Sequence, residues 1–271
     1  MRTLNKHIVH ISAVILVIMI LLPLIPLLLW AFTDVWIYPN ILPSFTTGNF
    51  SEILENKKLI KAVFNSTWLS LLCTFVALLI SFFPARAIGL KKFRGKKLLQ
   101  ILLFLPVMAP TLVILFGMSD MMMKIGIYRS YIGLVFAQVA FLIPMMTMIL
   151  VPVFRNYDVG REHQAASLGI GPLNRLLFVT VPSLKSGIMI ACLYTFLSSW
   201  ATYLTVSMYA PKGFTTLAVM LFPLVSGGLT SNTFTAVVTL IFFLPPVAFL
   251  LFSSWVIGSD KVNKTGGGLL K

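Results

Sequence analysis

Acidic residues are scarce in this chain: seven aspartates and glutamates stand against 21 lysines and arginines in 271 residues. Charge of either sign makes up only 10% of the sequence, where a soluble fold of this size carries about a quarter, and 58% of the residues are hydrophobic. That balance excludes an ordinary water-soluble domain, so the chain must use lipid as part of its solvent. Cysteine is nearly absent. Cys73 and Cys192 both fall inside apolar runs and read as small buried hydrophobes, not as a disulfide. The histidines are His7, His10 and His163, each at or beyond the end of an apolar run. With no acidic partner inside any run, neither a metal site nor a nucleophile and base can be assembled at membrane depth, which argues against an intramembrane enzyme.

Runs free of charge cover 7–33, 62–85, 98–119, 130–154, 186–211 and 213–259. About 20 apolar residues cross a bilayer as a helix, so six crossings are predicted. The last run is oversized and is trimmed to 233–257, leaving 213–232 at the outer interface because "GGLTSN" is polar and turn-forming. The first run lacks a small-x-small cleavage site and is too long for a signal-peptide core, which favours a retained helix. With the amino terminus inside, the inner pieces hold Arg2, Lys6, Arg86, Lys91, Lys92, Arg94, Lys96, Lys97, Arg155, Arg161, Arg175, Lys185, Lys261, Lys264 and Lys271, fifteen of the 21 basic residues. This is the positive-inside asymmetry, and it accounts for the net charge of +14 without any nucleic-acid partner. The expected fold class is therefore an all-α integral membrane protein with six transmembrane helices and both termini cytoplasmic. Its parts would be a first helix with an extracytoplasmic segment over 1–60, a core of five helices over 61–257, and a flexible glycine-rich tail over 258–271.

The inner piece between crossings four and five does not read as a connector. It is long, and a structureless loop of such length is unusual in a compact domain. "REHQAASL" is built from good helix formers with a glutamate near its amino end, where the helix dipole favours it. Gly169 stops that helix and Pro172 suits the first turn of another, in which Leu173, Leu176, Leu177 and Val181 recur at helical spacing until Pro182 ends it. A helix, a break and a second helix are predicted, and a segment merely resting on lipid is the bland alternative.

These residues resemble the Glu-Ala-Ala loop in the membrane subunits of binding-protein-dependent ABC importers, of the type I class. Gly169 takes the glycine position of that motif, Ala165 its second alanine, and Val179-Thr180-Val181-Pro182 its closing stretch. His163 stands in the glutamate position, Gln164 in that of the first alanine, and Glu162 lies one residue early. "NSTWLSLLCTFVALLISFFPARAIG" is similar to the opening of the permease core, and "GFTTLAVMLF" places the chain nearest the polyamine, thiamine, iron and aminophosphonate group. The resemblance implies a coupling helix that docks on an ATP-binding subunit, through Arg161, Glu162, His163, Gln164, Ala165, Ala166, Ser167, Leu168, Gly169, Ile170, Gly171 and Pro172. It implies as partners two ATP-binding subunits, a second permease subunit or copy, and an extracytoplasmic solute-binding protein, in a bacterial-type cytoplasmic membrane. ATP and Mg would sit on the ATP-binding subunits, because this chain has no phosphate-binding Gly-x-x-x-x-Gly-Lys-[Ser/Thr] loop. An ion-coupled secondary transporter is the alternative, weakened by the lack of Asp, Glu, Lys or Arg in any predicted span.

Polar residues at membrane depth are the candidates for a substrate pathway: Gln138 in the fourth span, and Ser198, Ser199, Trp200, Thr202, Tyr203 and Thr205 in the fifth. Serine and threonine also serve as packing contacts between spans, so pathway and packing both stand at this stage. Polyamine permeases tend to carry acidic residues there and this chain has none. The expectation is therefore a zwitterionic, anionic or neutral solute, aminophosphonate-like or thiamine-like, before a polyamine.

Overall fold

The computed structural model describes residues 12, 14–19, 21–33, 44–226 and 232–266, and these are almost wholly helical. The chain divides into two compact units, Met1–Val63 with Met220–Leu244, and Phe64–Val219 with Pro245–Lys271.

In the first unit, α1 (Leu24–Ala31) ends where the returning chain pairs with it. Thr33 and Phe45 form an isolated antiparallel bridge, Thr46 N–H donates to the Phe32 carbonyl at 2.8 Å, and Asn49 Nδ2 donates to the Thr33 carbonyl at 2.8 Å. Phe32 and Phe50 meet at 5.1 Å, which seats α2 (Gly48–Glu55) against that end. The segment expected between the first two crossings thus carries a short helix, which closes at Glu55. Asn56 then caps α3 (Lys57–Leu90), its Oδ1 accepting from Lys58 N–H at 3.1 Å and Leu59 N–H at 3.3 Å.

In the second unit α6 (Tyr131–Arg155) is the buried axis, starting at Ser130, whose hydroxyl accepts from Gly133 N–H at 3.0 Å. Leu134, Ala137, Leu142, Met146, Leu150 and Phe154 line its buried length, and α3 packs on it through Leu69, Cys73, Ala77, Ala85 and Ile88. At Gly89 the two helices leave no room for a side chain: a β-carbon there would lie 2.6 Å from that of Phe154 and 3.0 Å from the Val151 carbonyl oxygen. Phe82 meets Phe154 edge to face at 5.0 Å beside this contact. α4 (Lys96–Met108) has no fully buried residue, although Leu103 packs partly against the core.

Among the described residues, four helices are long and apolar enough to cross a membrane: Val14–Ala31, Lys57–Leu90, Tyr131–Arg155 and Thr233–Gly258, the last within α12 (Asn232–Gly266). Two further candidates are bent pairs, which raises the count to six if each pair is one span. α4 and α5 (Thr111–Lys124) meet at 98° across Ala109 and Pro110. The run 98–119, read as one crossing, is therefore broken, at the point where Pro110 has no N–H to continue the ladder. The second pair is α8 (Pro172–Ser183) and α9 (Lys185–Trp200), bent by 76°. Within α8 the turn Leu176–Thr180 is widened to a π-helical one. Pro182 lacks the amide that would close on residue 178, so the chain before it shifts to the longer-range pattern, and the helix stops at Ser183 instead of at the proline. α10 (Leu204–Tyr209) and α11 (Leu217–Ser226) are short. Residues 227–231, part of the "GGLTSN" turn, and 267–271 of the tail lie outside the described residues.

Candidate functional site

Asp158 opens the segment between α6 and α9, its carboxylate accepting from Gly160 N–H at 2.9 Å to start α7 (Gly160–Ser167). Leu168 is the last half-helical residue, and Gly169 follows at φ +78°, the left-handed region that costs a side-chain-bearing residue strain. Gly169 N–H bonds the Ala166 carbonyl at 3.0 Å and Ile170 N–H the Ala165 carbonyl at 3.1 Å. Together these make a Schellman stop. Gly171 then runs extended into Pro172, the first residue of α8. The predicted helix, break and second helix are all present.

The twelve predicted interface residues divide by face. Glu162 and Ala165 point inward and are buried. His163, Gln164, Ala166 and Ser167 are exposed on the opposite face, and Leu168, at 80% exposure, stands at the turn with Ile170, Gly171 and Pro172. Leu173 and Phe178 add further exposed apolar surface on α8.

The inward face holds the chemistry that sequence reading missed. Glu162 Oε2 takes a hydrogen-bonded ion pair from Arg86 Nη2 at 2.5 Å, and Glu162 Oε1 accepts from Thr180 Oγ1 at 2.7 Å. Beside them Tyr157 has a buried hydroxyl with no hydrogen-bond partner among the described residues. Burial, and then the neighbouring Glu162 charge, push its pKa above the ordinary tyrosine value. Two signals in the sequence pointed here. Arg86 lies apart from the basic run 91–97, inside an apolar stretch, and Thr180 is polar between two valines.

At membrane depth the structure joins two of the predicted pathway residues. Gln138 Nε2 donates to the Ser199 carbonyl at 2.9 Å and to the Ser199 hydroxyl at 2.6 Å. This supports a helix end, because α9 stops at Trp200 and Ala201–Tyr203 are non-helical before α10 begins. Thr202 Oγ1 donates to the Ser198 carbonyl at 2.7 Å in the same break. Gln138 Oε1 is buried with no partner among the described residues. Trp200, 2% exposed, stacks on Phe196, and Thr205 is buried too, while Ser198, Thr202 and Tyr203 are half-buried. α10 is tied in turn to α5, where the Tyr209 hydroxyl donates to the Leu115 carbonyl and accepts from Ser119.

No family model matches the chain. It is 23% identical over 223 residues to the spermidine/putrescine transport system permease protein PotC of Escherichia coli strain K12, covering 82% of this chain and 83% of that protein. It is 26% identical over 181 residues, 66% of each, to the trehalose transport system permease protein SugB of Mycobacterium tuberculosis. Among solved structures, a chain of a bacterial ABC transporter for import of the acidic polysaccharide alginate superposes with a TM-score of 0.71 at 16% identity, covering 92% of this chain and 96% of that one. The chain is a homologue of ABC-importer permease subunits. The permease shares their fold, and it is a multi-pass protein of the cytoplasmic membrane. These relatives are transport subunits, not enzymes.

Proposed function

We propose that this permease forms half of the membrane domain of an ATP-driven importer and takes its stroke from an ATP-binding subunit through residues 161–182. In this reading six spans place both termini in the cytoplasm, with α4 and α5 together counted as one crossing, α9 as another, and α7 and α8 lying between crossings four and five. One observation carries the coupling role. A helix of eight residues, closed by a Schellman turn, has its only carboxylate folded inward and leaves His163, Gln164, Ala166 and Leu168 bare on the other side. A rigid helix with an uncovered face transmits force, because its backbone hydrogen bonds are already internal. Two ATP-binding subunits, a second permease subunit or copy, and an extracytoplasmic solute-binding protein complete the assembly. ATP and Mg belong to the ATP-binding subunits.

For the solute, the named relatives move the reading toward polyamines, and none of those compared supports the aminophosphonate-like or thiamine-like ligand expected from hydroxyl and aromatic content. A sugar is the second reading, favoured by the names of the trehalose permease and the alginate transporter. Proteoliposomes holding the permease with its partner subunits and solute-binding protein decide between them. ATP-dependent accumulation of labelled spermidine but not trehalose is the expected result. Uptake of trehalose alone would reverse the order, and failure to recruit any ATP-binding subunit would overturn the coupling role.

A further inference from the structure

A carboxylate in the first turn of α7 could remain in water at no cost, yet the side chain of Glu162 is only 12% exposed and both of its oxygens are bound by protein donors. One donor, Arg86, comes from α3, 76 residues earlier, and the other, Thr180, from the widened turn of α8, 18 residues later. Ala165 is the only other buried residue of α7, and of the two only Glu162 makes side-chain hydrogen bonds. The pair is partly buried, with the Arg86 side chain 32% exposed, and such a pair adds little net stability because desolvation offsets attraction. Breaking one leaves an uncompensated charge, and the geometry is thereby enforced. One guanidinium nitrogen, Arg86 Nη2, makes the contact, and the permanent, weakly hydrated charge of a guanidinium suits that role. On its far side, α3 runs as one helix into the core beside α6, anchored by Ala85, Ile88 and the contact of Gly89 with Phe154.

We propose that Arg86, Glu162 and Thr180 form an internal brace in which Arg86 and Thr180 are positioning residues, holding α7 in its docking orientation and delivering its displacement to α3. Glu162 is then a strut and not a docking group, and the ATP-binding subunit meets the exposed face that begins at His163. The delivery half of the inference rests on the coupling role proposed above; the positioning half does not.

The test uses the full-length permease in lipid nanodiscs, as wild type, R86Q, E162Q, T180V and the charge-exchanged pair R86E/E162R. Hydrogen exchange of the 160–168 amides is expected to rise about tenfold in R86Q and E162Q and about threefold in T180V, with exchange in 131–155 unchanged. The exchanged pair should return to within about threefold of wild type, since Thr180 can accept from a guanidinium as readily as it donates to a carboxylate. Unaltered exchange in both single charge variants, or an equal rise through α6, overturns the brace. After assembly with the ATP-binding subunits, the single charge variants should still co-purify but lose about tenfold in ATP hydrolysis stimulated by the solute-binding protein, and the exchanged pair should recover it. Full stimulation in E162Q alongside raised local exchange overturns delivery to α3 and leaves the brace. A wild type that recruits no ATP-binding subunit sinks the coupling role, while the exchange data still judge the brace.

Discussion

Neighbouring residues of one short helix carry opposite duties. Ala165 lies in a buried contact at 6% exposure, whereas Ala166 is exposed one position later. Ala165→Arg forces a long charged side chain into that buried contact and is expected to unseat the segment, lowering the thermal midpoint of the purified permease. Ala166→Arg should leave the stability within about 0.5 kcal/mol of wild type, as surface changes do, but abolish co-purification with the ATP-binding subunit. Identical behaviour of the two variants would refute the assignment of faces. The span-five residues separate in the same way. Trp200 is buried on Phe196, so Trp200→Ala should cost about 3–5 kcal/mol in stability before any transport effect can be read. Tyr203 is only half-buried at the break, and Tyr203→Ala should raise the KM for uptake with the midpoint nearly intact. Gln138→Leu strips the side-chain donor from the Ser199 carbonyl, a loss of about 1–3 kcal/mol visible in thermal unfolding.

At the scale of elements, two glycines act through different physics. Nothing lies within 4 Å of a β-carbon added at Gly169, so Gly169→Ala pays only for its φ of +78°, about 1–2 kcal/mol, and the loss should be confined to the turn after α7. Gly89 has an ordinary backbone and no room. Gly89→Ala drives a methyl into Phe154 and the Val151 carbonyl, and overpacking of this kind costs about 1–3 kcal/mol across the α3 and α6 contact. Raised amide exchange in 160–170 alone for the first variant, and a lowered global midpoint for the second, are the expected readouts. The helix breaks show why elements were harder to place than runs. Hydropathy reports that 98–119 is apolar, but the 98° turn at Ala109 and Pro110 depends on where one proline interrupts the ladder. Likewise, apolar residues at helical spacing made the second limb legible, while the π-helical turn before Pro182 follows from a single missing amide.

For the whole molecule, charge and hydropathy act together. If both termini are cytoplasmic, a fluorescent protein fused at the carboxyl end should fold and fluoresce, and alkaline phosphatase fused there should be inactive. A Ser44→Cys variant should react with a membrane-impermeant maleimide added to intact spheroplasts, and labelling only after lysis would invert the topology. The membrane class, the positions of the apolar runs, the stop at Gly169 and the likeness to ABC permeases were all legible in the linear chain. Each of them rests on transfer energies and on hydrogen bonds between near neighbours, which a chain carries locally. Tertiary structure alone decided that Glu162 turns inward to Arg86 and Thr180, that Gln138 meets Ser199, and that the apolar run 98–119 is a bent pair and not a straight span. Partners 76 or 61 residues apart are chosen by how helices pack, and no local preference of either residue encodes that choice.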